Sequence, residues 1–168
     1  MHDPQPCHFQ ALKWLLRYIQ GTITYDFPLL PSPLTLSTYV DVDYAFDVYD
    51  RKSTTGFCMF LGLNLISWYV KKQTTVAKSS TEAEYRALAS STSDIIWLRC
   101  LLQEFDAKQL HPTEVFCDNT SAIALTKNPV FHARTKHIKI DYHFISQHIK
   151  EKEIEVLTSA QSNSPLIS

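Results

Sequence analysis

The apolar residues of this chain change period near Thr81, and that change restricts the fold more than any total does. Before it, Leu36, Thr38, Val40 and Val42 alternate with Ser37, Tyr39, Asp41 and Asp43, the period of two that marks a strand. Residues 55–61 and 64–70 read as two further strands, separated by a tight turn containing Gly62. After the change, Leu88, Ile95 and Leu102 recur every seventh residue, and Ile96, Leu98 and Phe105 widen the stripe. That spacing predicts a long helix over residues 81–106. Three strands with short connections followed by such a helix imply an antiparallel meander with a helix packed on it.

The remainder adds elements of both kinds. Residues 114–117 follow Pro112 as a fourth strand, and a short helix starts near Asn119 and ends at Pro129. Residues 138–150 read as a helix and 154–157 as a fifth strand. The expected class is α/β, a mixed five-stranded sheet with flanking helices. At the N-terminus, Asp3-Pro4 reads as a cap with proline at the first helical position. Phe9, Leu12, Leu15, Leu16 and Ile19 then follow at helical spacing, and Gly21 supplies a stop. Pro28, Pro31 and Pro33 mark a linker. The expected division is therefore residues 1–35, 36–157 and an irregular tail, 158–168.

Composition removes several classes of function. The apolar runs fall short of a membrane span and Met1-His2-Asp3 offers no basic leader, so an intracellular, cytoplasmic or nuclear protein is expected. Cys7, Cys58, Cys100 and Cys117 form neither a CxxC pair nor a disulfide framework, which predicts buried free thiols. The only glycines are Gly21, Gly56 and Gly62, so no phosphate-cradling loop exists. His132, His137, His143 and His148 fit no zinc spacing. A net charge of −1 conceals local basic fields: residues 51–86 hold six basic side chains against two acidic ones, and residues 115–150 hold five against two. Such fields beside acidic metal ligands suit a phosphodiester substrate.

Three carboxylates stand where they cost free energy unless a cation compensates them: Asp41 in the first strand, Glu84 in the first turn of the long helix, and Asp118 after the apolar run Val115-Phe116-Cys117. Asp41 and Asp43 share a face about 7 Å apart, so one is a ligand and the other lies outside the first coordination sphere. If the first and fourth strands are neighbours, Asp41 and Asp118 meet. Each acid also has an ordinary structural reading. Thr81-Glu82-Ala83-Glu84 matches a capping box, Asp118 suits a helix cap, and Asp41 or Asp43 suits a protective edge charge. Oxygen ligands without His or Cys favour Mg²⁺ or Mn²⁺, and a pair of such ions supports in-line phosphodiester hydrolysis.

Longer motifs surround these acids: Tyr39-Val40-Asp41-Val42-Asp43-Tyr44-Ala45, Asp50-Arg51-Lys52-Ser53-Thr54-Thr55-Gly56, Ser79-Ser80-Thr81-Glu82-Ala83-Glu84-Tyr85-Arg86-Ala87-Leu88, Cys117-Asp118-Asn119-Thr120-Ser121-Ala122-Ile123 and Lys127-Asn128-Pro129 through His137-Ile138. In these the chain closely resembles the ribonuclease H region of copia-type LTR retrotransposon polyproteins, over roughly residues 36–157. The earlier segment, residues 8–22, resembles the connection from the reverse transcriptase. The resemblance implies an RNase H-like fold that cuts the RNA strand of an RNA–DNA hybrid with two Mg²⁺, alongside other polyprotein products. By motif position Asp41, Glu84 and Asp118 correspond to the family's first three catalytic carboxylates, and glutamate in second place separates them from integrases. Lys71, Lys72, Arg86, Arg134 and Lys136 are candidate contacts to backbone phosphates. The polymerase signature Tyr-x-Asp-Asp is absent from the 168 residues, so DNA synthesis is not expected. One departure matters: the family carries a fourth aspartate in a final helix, and residues 157–168 contain no acid. Weakened catalysis is the expectation from that loss.

Overall fold

Alternation along the first strand decides which way the sheet faces its helices. In β1 (Leu36–Asp43), Leu36, Thr38 and Val40 are buried and Val42 is partly buried, while Asp41 and Asp43 are exposed. The computed structural model describes residues 3, 5–26, 28–46, 48–127 and 139–159, with Lys127 described by its backbone alone. Among these, β2 (Thr54–Leu61) and β3 (Asn64–Lys72) complete the meander with antiparallel pairing. β4 (Thr113–Cys117) and β5 (Ile154–Thr158) then run parallel to β1, giving the order β3-β2-β1-β4-β5. The mixed five-stranded sheet with flanking helices is thus the observed fold.

The parallel step from β3 to β4 needs a crossover, and α2 (Ser80–Glu104) supplies it. Its buried side chains include Tyr85, Ala87, Leu88, Ile95 and Leu98, which meet Leu36, Val40, Phe57, Met59 and Val115 of the sheet in one core. Each fully buried residue of Leu or Ile size contributes roughly 1.5–3 kcal/mol. Phe105 does not extend the stripe. It is the C-cap of α2, with φ −93° and ψ 17°, and its ring is exposed. α3 (Thr120–Lys127) and α4 (Lys139–Lys150) connect β4 to β5, with Ala122, Ile123 and Ile145 buried in the same core.

α1 spans Pro6–Thr22 and begins after Gln5, two residues later than Asp3-Pro4 predicted. Pro6 takes the first helical position, and the Gln5 side chain donates to Asp3 at 2.8 Å. None of its residues is buried. The expectation of buried thiols fails for two cysteines: Cys7 lies on this exposed helix and Cys100 on the solvent side of α2, whereas Cys117 is buried and Cys58 intermediate.

The proline-rich linker is fastened to the β2–β3 turn. Asn64 accepts the Leu30 N–H at 2.7 Å and donates to the Leu30 carbonyl at 2.9 Å, while the Gly62 N–H donates to the Thr35 carbonyl at 2.8 Å. Gly62 has φ +60°, and a Cβ there would lie 2.3 Å from the Pro33 carbonyl oxygen. Left-handed backbone strain and a collision with backbone therefore act together. Gly62→Ala is expected to destabilise the domain by about 3 kcal/mol, read as a lower midpoint in urea.

Candidate metal centre

Strand register brings two of the acids together. Asp41 stands opposite Gly56 of β2, and on its other side the last pair of β1 with β4 is Val40 and Cys117. Asp41 and Asp118 each follow that pair, so they leave neighbouring strands whose axes lie about 4.8 Å apart. Both acids are exposed. Asp118 is not the cap of α3: Asn119 fills that role, its Oδ1 accepting the Ala122 N–H at 2.9 Å.

Glu84 is delivered by α2. The helix is capped by Ser79, whose hydroxyl accepts the Glu82 N–H at 3.1 Å. Glu82 accepts the Lys78 N–H at 2.9 Å and pairs with Arg86 at 2.6 Å. The capping interaction is therefore built two residues earlier than Thr81–Glu84, and Glu84 is released from it. Its residue is 6% exposed, facing the end of β4.

Cys117 lies between the helix and the strand end. It is fully buried, and its thiol donates to Glu84 Oε2 across 3.9 Å. One ligand atom each from Glu84, Cys117 and Asp118 lie mutually within 4.8 Å. Burial pushes the Glu84 carboxyl up to about 7, with the negative fields of Asp118 and Asp41 adding to it and the Cys117 thiol opposing it. Burial likewise pushes the Cys117 thiol up to about 12. An uncompensated negative cluster has been assembled around one buried carboxylate. Sequence reasoning placed the three acids but treated Cys117 only as a core thiol. Its position, two residues after core-facing Val115 and next to Asp118, was the available signal.

The basic candidates divide into two groups. Lys71, Lys72 and Arg86 line one pocket of about 320 Å³ between the end of β3 and α2, with Thr55, Gln73 and Thr75. Lys71 is exposed, but Lys72 pairs with Asp50 at 3.0 Å. Arg86 is held more firmly, by Glu82 and by the Thr75 hydroxyl at 2.7 Å, and its charge also reaches Asp141 on α4. Arg134 and Lys136 fall outside the described residues. A second groove of about 610 Å³ runs from Tyr18 of α1 over Tyr39, Trp68 and Val70 to Asp41 on the strand.

A meander of three strands, two parallel strands added beside β1 and a long crossover helix define an RNase H-like domain. LC11-RNase H1, solved in complex with an RNA/DNA hybrid, superposes with a TM-score of 0.52 at 14% identity, covering 74% of this chain and 83% of that one. No protein-family model matches the chain. The retrovirus-related Pol polyprotein from transposon RE2 of Arabidopsis thaliana is 44% identical over 158 residues, covering 94% of this chain and 11% of the polyprotein. That from transposon TNT 1-94 of Nicotiana tabacum is 40% identical over 167 residues, covering 98% and 12%. Over most of its length the chain matches a segment of copia-type retrovirus-related Pol polyproteins, and it spans about a tenth of the length of these relatives.

Proposed function

We propose that this chain is a ribonuclease H segment that hydrolyses the RNA strand of RNA–DNA hybrids, with Asp41, Glu84 and Asp118 holding Mg²⁺ or Mn²⁺. The observation that carries this reading is Glu84: a carboxylate 6% exposed, pushed up by that burial and then by two neighbouring acids, whose one hydrogen bond found among the described residues comes from a thiol. A divalent cation bound to hard oxygens compensates such a cluster, and Asp41, Glu84 and Asp118 supply those oxygens. When bound, the cation polarises a phosphoryl oxygen and lowers the barrier to attack by water.

The chain's own residues do the rest. Asp41 within β1 and Asp118 just past the end of neighbouring β4 present exposed carboxylates from the sheet, and Glu84 is held on a helix whose cap is fully formed. Lys71 lies at a pocket rim where a backbone phosphate can dock, and Lys72 and Arg86 add positive field there despite their partners. Arg134 and Lys136 are proposed phosphate contacts on sequence alone. Other products of the same polyprotein are the proposed partners.

A second reading rests on one observation: no acidic residue follows Glu155, so residues 156–168 cannot supply a fourth carboxylate. In that reading the chain is a relic that folds and binds hybrid without cutting it. The two separate in one experiment, incubation with an end-labelled RNA–DNA hybrid and Mg²⁺. Shortening of the RNA strand alone is the expected result. Retained binding with an intact RNA strand assigns the relic, and neither binding nor cleavage removes both readings.

A further inference from the structure

We propose that Cys117 gives this cluster a second metal chemistry, in which a thiophilic divalent cation such as Zn²⁺ or Cd²⁺ is held by the Cys117 thiolate together with Glu84 and Asp118. The ligand atoms of these three residues already lie within 4.8 Å of one another, and the sulfur stands 3.9 Å from Glu84 Oε2. A tetrahedral zinc ion with one sulfur and one oxygen ligand sets that edge at about 3.6 Å, so this edge needs to contract by only a few tenths of an ångström, while Asp118, within 4.8 Å, closes further. Glu84 is more than nine-tenths buried, aimed at the cluster, and has no N–H or O–H donor found among the described residues. Its one hydrogen bond found among the described residues is the weak one from the Cys117 thiol, which a metal ion would replace. Asp118 is exposed, which gives an ion an entry side and leaves one coordination position to water.

Ligand softness decides which ion uses the sulfur. Mg²⁺ requires octahedral oxygen ligands and gains nothing from a thiolate, whereas Zn²⁺ and Cd²⁺ gain a strong bond from it. Binding breaks the Cys117 S–H bond and forms a metal–sulfur bond, and that proton leaves to solvent, as does any proton that Glu84 carries. No electrons are transferred. Because Glu84 and Asp118 are shared with the proposed Mg²⁺ site, the two occupancies exclude each other. The soft ion is drawn beneath the strand ends toward Cys117 and away from Asp41. Zinc and cadmium therefore act as inhibitors of this chain and not as substitutes for magnesium.

The inference shares two carboxylates with the proposed function but does not depend on hydrolysis, so its test is spectroscopic. In the full chain carrying Cys7→Ser, Cys58→Ser and Cys100→Ser, X-ray absorption of the Zn²⁺ complex is expected to show one sulfur neighbour at about 2.3 Å. A shell of oxygen and nitrogen alone overturns the proposal. In the same background, Cys117→Ser is expected to weaken Cd²⁺ binding at least about tenfold, by analogy with the loss of even an outer-shell partner. Mn²⁺ affinity is expected to move by less than about twofold, since that ion favours oxygen. Unchanged Cd²⁺ affinity contradicts the proposal. A sulfur neighbour in a protein that cuts no hybrid sinks the hydrolytic reading and leaves this one standing.

Discussion

Between pH 5 and pH 8 the metal-free domain is expected to lose about 2.5 kcal/mol of folding stability through Glu84 alone, most of its displaced titration. The sign follows from the two states. Glu84 has its ordinary value of 4.5 in the unfolded chain and about 7 in the fold. Below pH 4.5 both states are protonated and burial of the carboxyl carries no charge penalty. From pH 4.5 to 7 the unfolded chain gives up its proton while the folded one retains it, so stability falls as pH rises. Above pH 7 the loss is complete and the curve flattens. Glu84→Gln is expected to remove this slope and to exceed the parent in stability at pH 8, measured by urea denaturation at fixed ionic strength. Asp118→Asn is expected to shrink the slope, because Asp118 is the larger of the two charge contributions to Glu84. Mg²⁺ at about a hundred times its dissociation constant adds about 2.7 kcal/mol to the parent, which offsets the loss.

Each of Asp41→Asn, Glu84→Gln and Asp118→Asn is expected to lower hybrid cleavage at least about a hundredfold, because a cation held at the reacting phosphate supplies several kcal/mol of transition-state stabilisation. The three variants differ in what else they change. Asp41 and Asp118 are exposed, so their amides leave the core intact. Glu84→Gln combines lost cleavage with gained stability above pH 7, a pairing that damage to the fold does not produce. Cleavage at parental rates in any one of the three removes that residue from the site.

Much of this architecture was legible in the residues because it is local. The period-two run of β1, the turn at Gly62 and the seven-residue stripe of α2 each specify their element without reference to the rest of the chain. The helix cap was not, because Ser79-Ser80-Thr81-Glu82 and Thr81-Glu82-Ala83-Glu84 fit the same pattern. Only the extended backbone of Ser79, φ −152° and ψ 159°, decides between them. That decision frees Glu84 for the cluster. The meeting of Asp41 with Asp118 depended on β1 and β4 being neighbours, a non-local pairing that the local pattern leaves open until the crossover is seen. Cys117 was hidden for a different reason: a buried cysteine in an apolar strand looks the same whether it packs or donates.

The most direct test of the account is Mn²⁺ binding to the metal-free chain, followed by the loss of the free-ion electron paramagnetic signal. The account predicts binding by the parent and a loss of at least about tenfold in affinity for each of Asp41→Asn, Glu84→Gln and Asp118→Asn, as removal of a ligand must cost no less than removal of its supporting partner. Mn²⁺ binding that is equal in the parent and all three variants would contradict it.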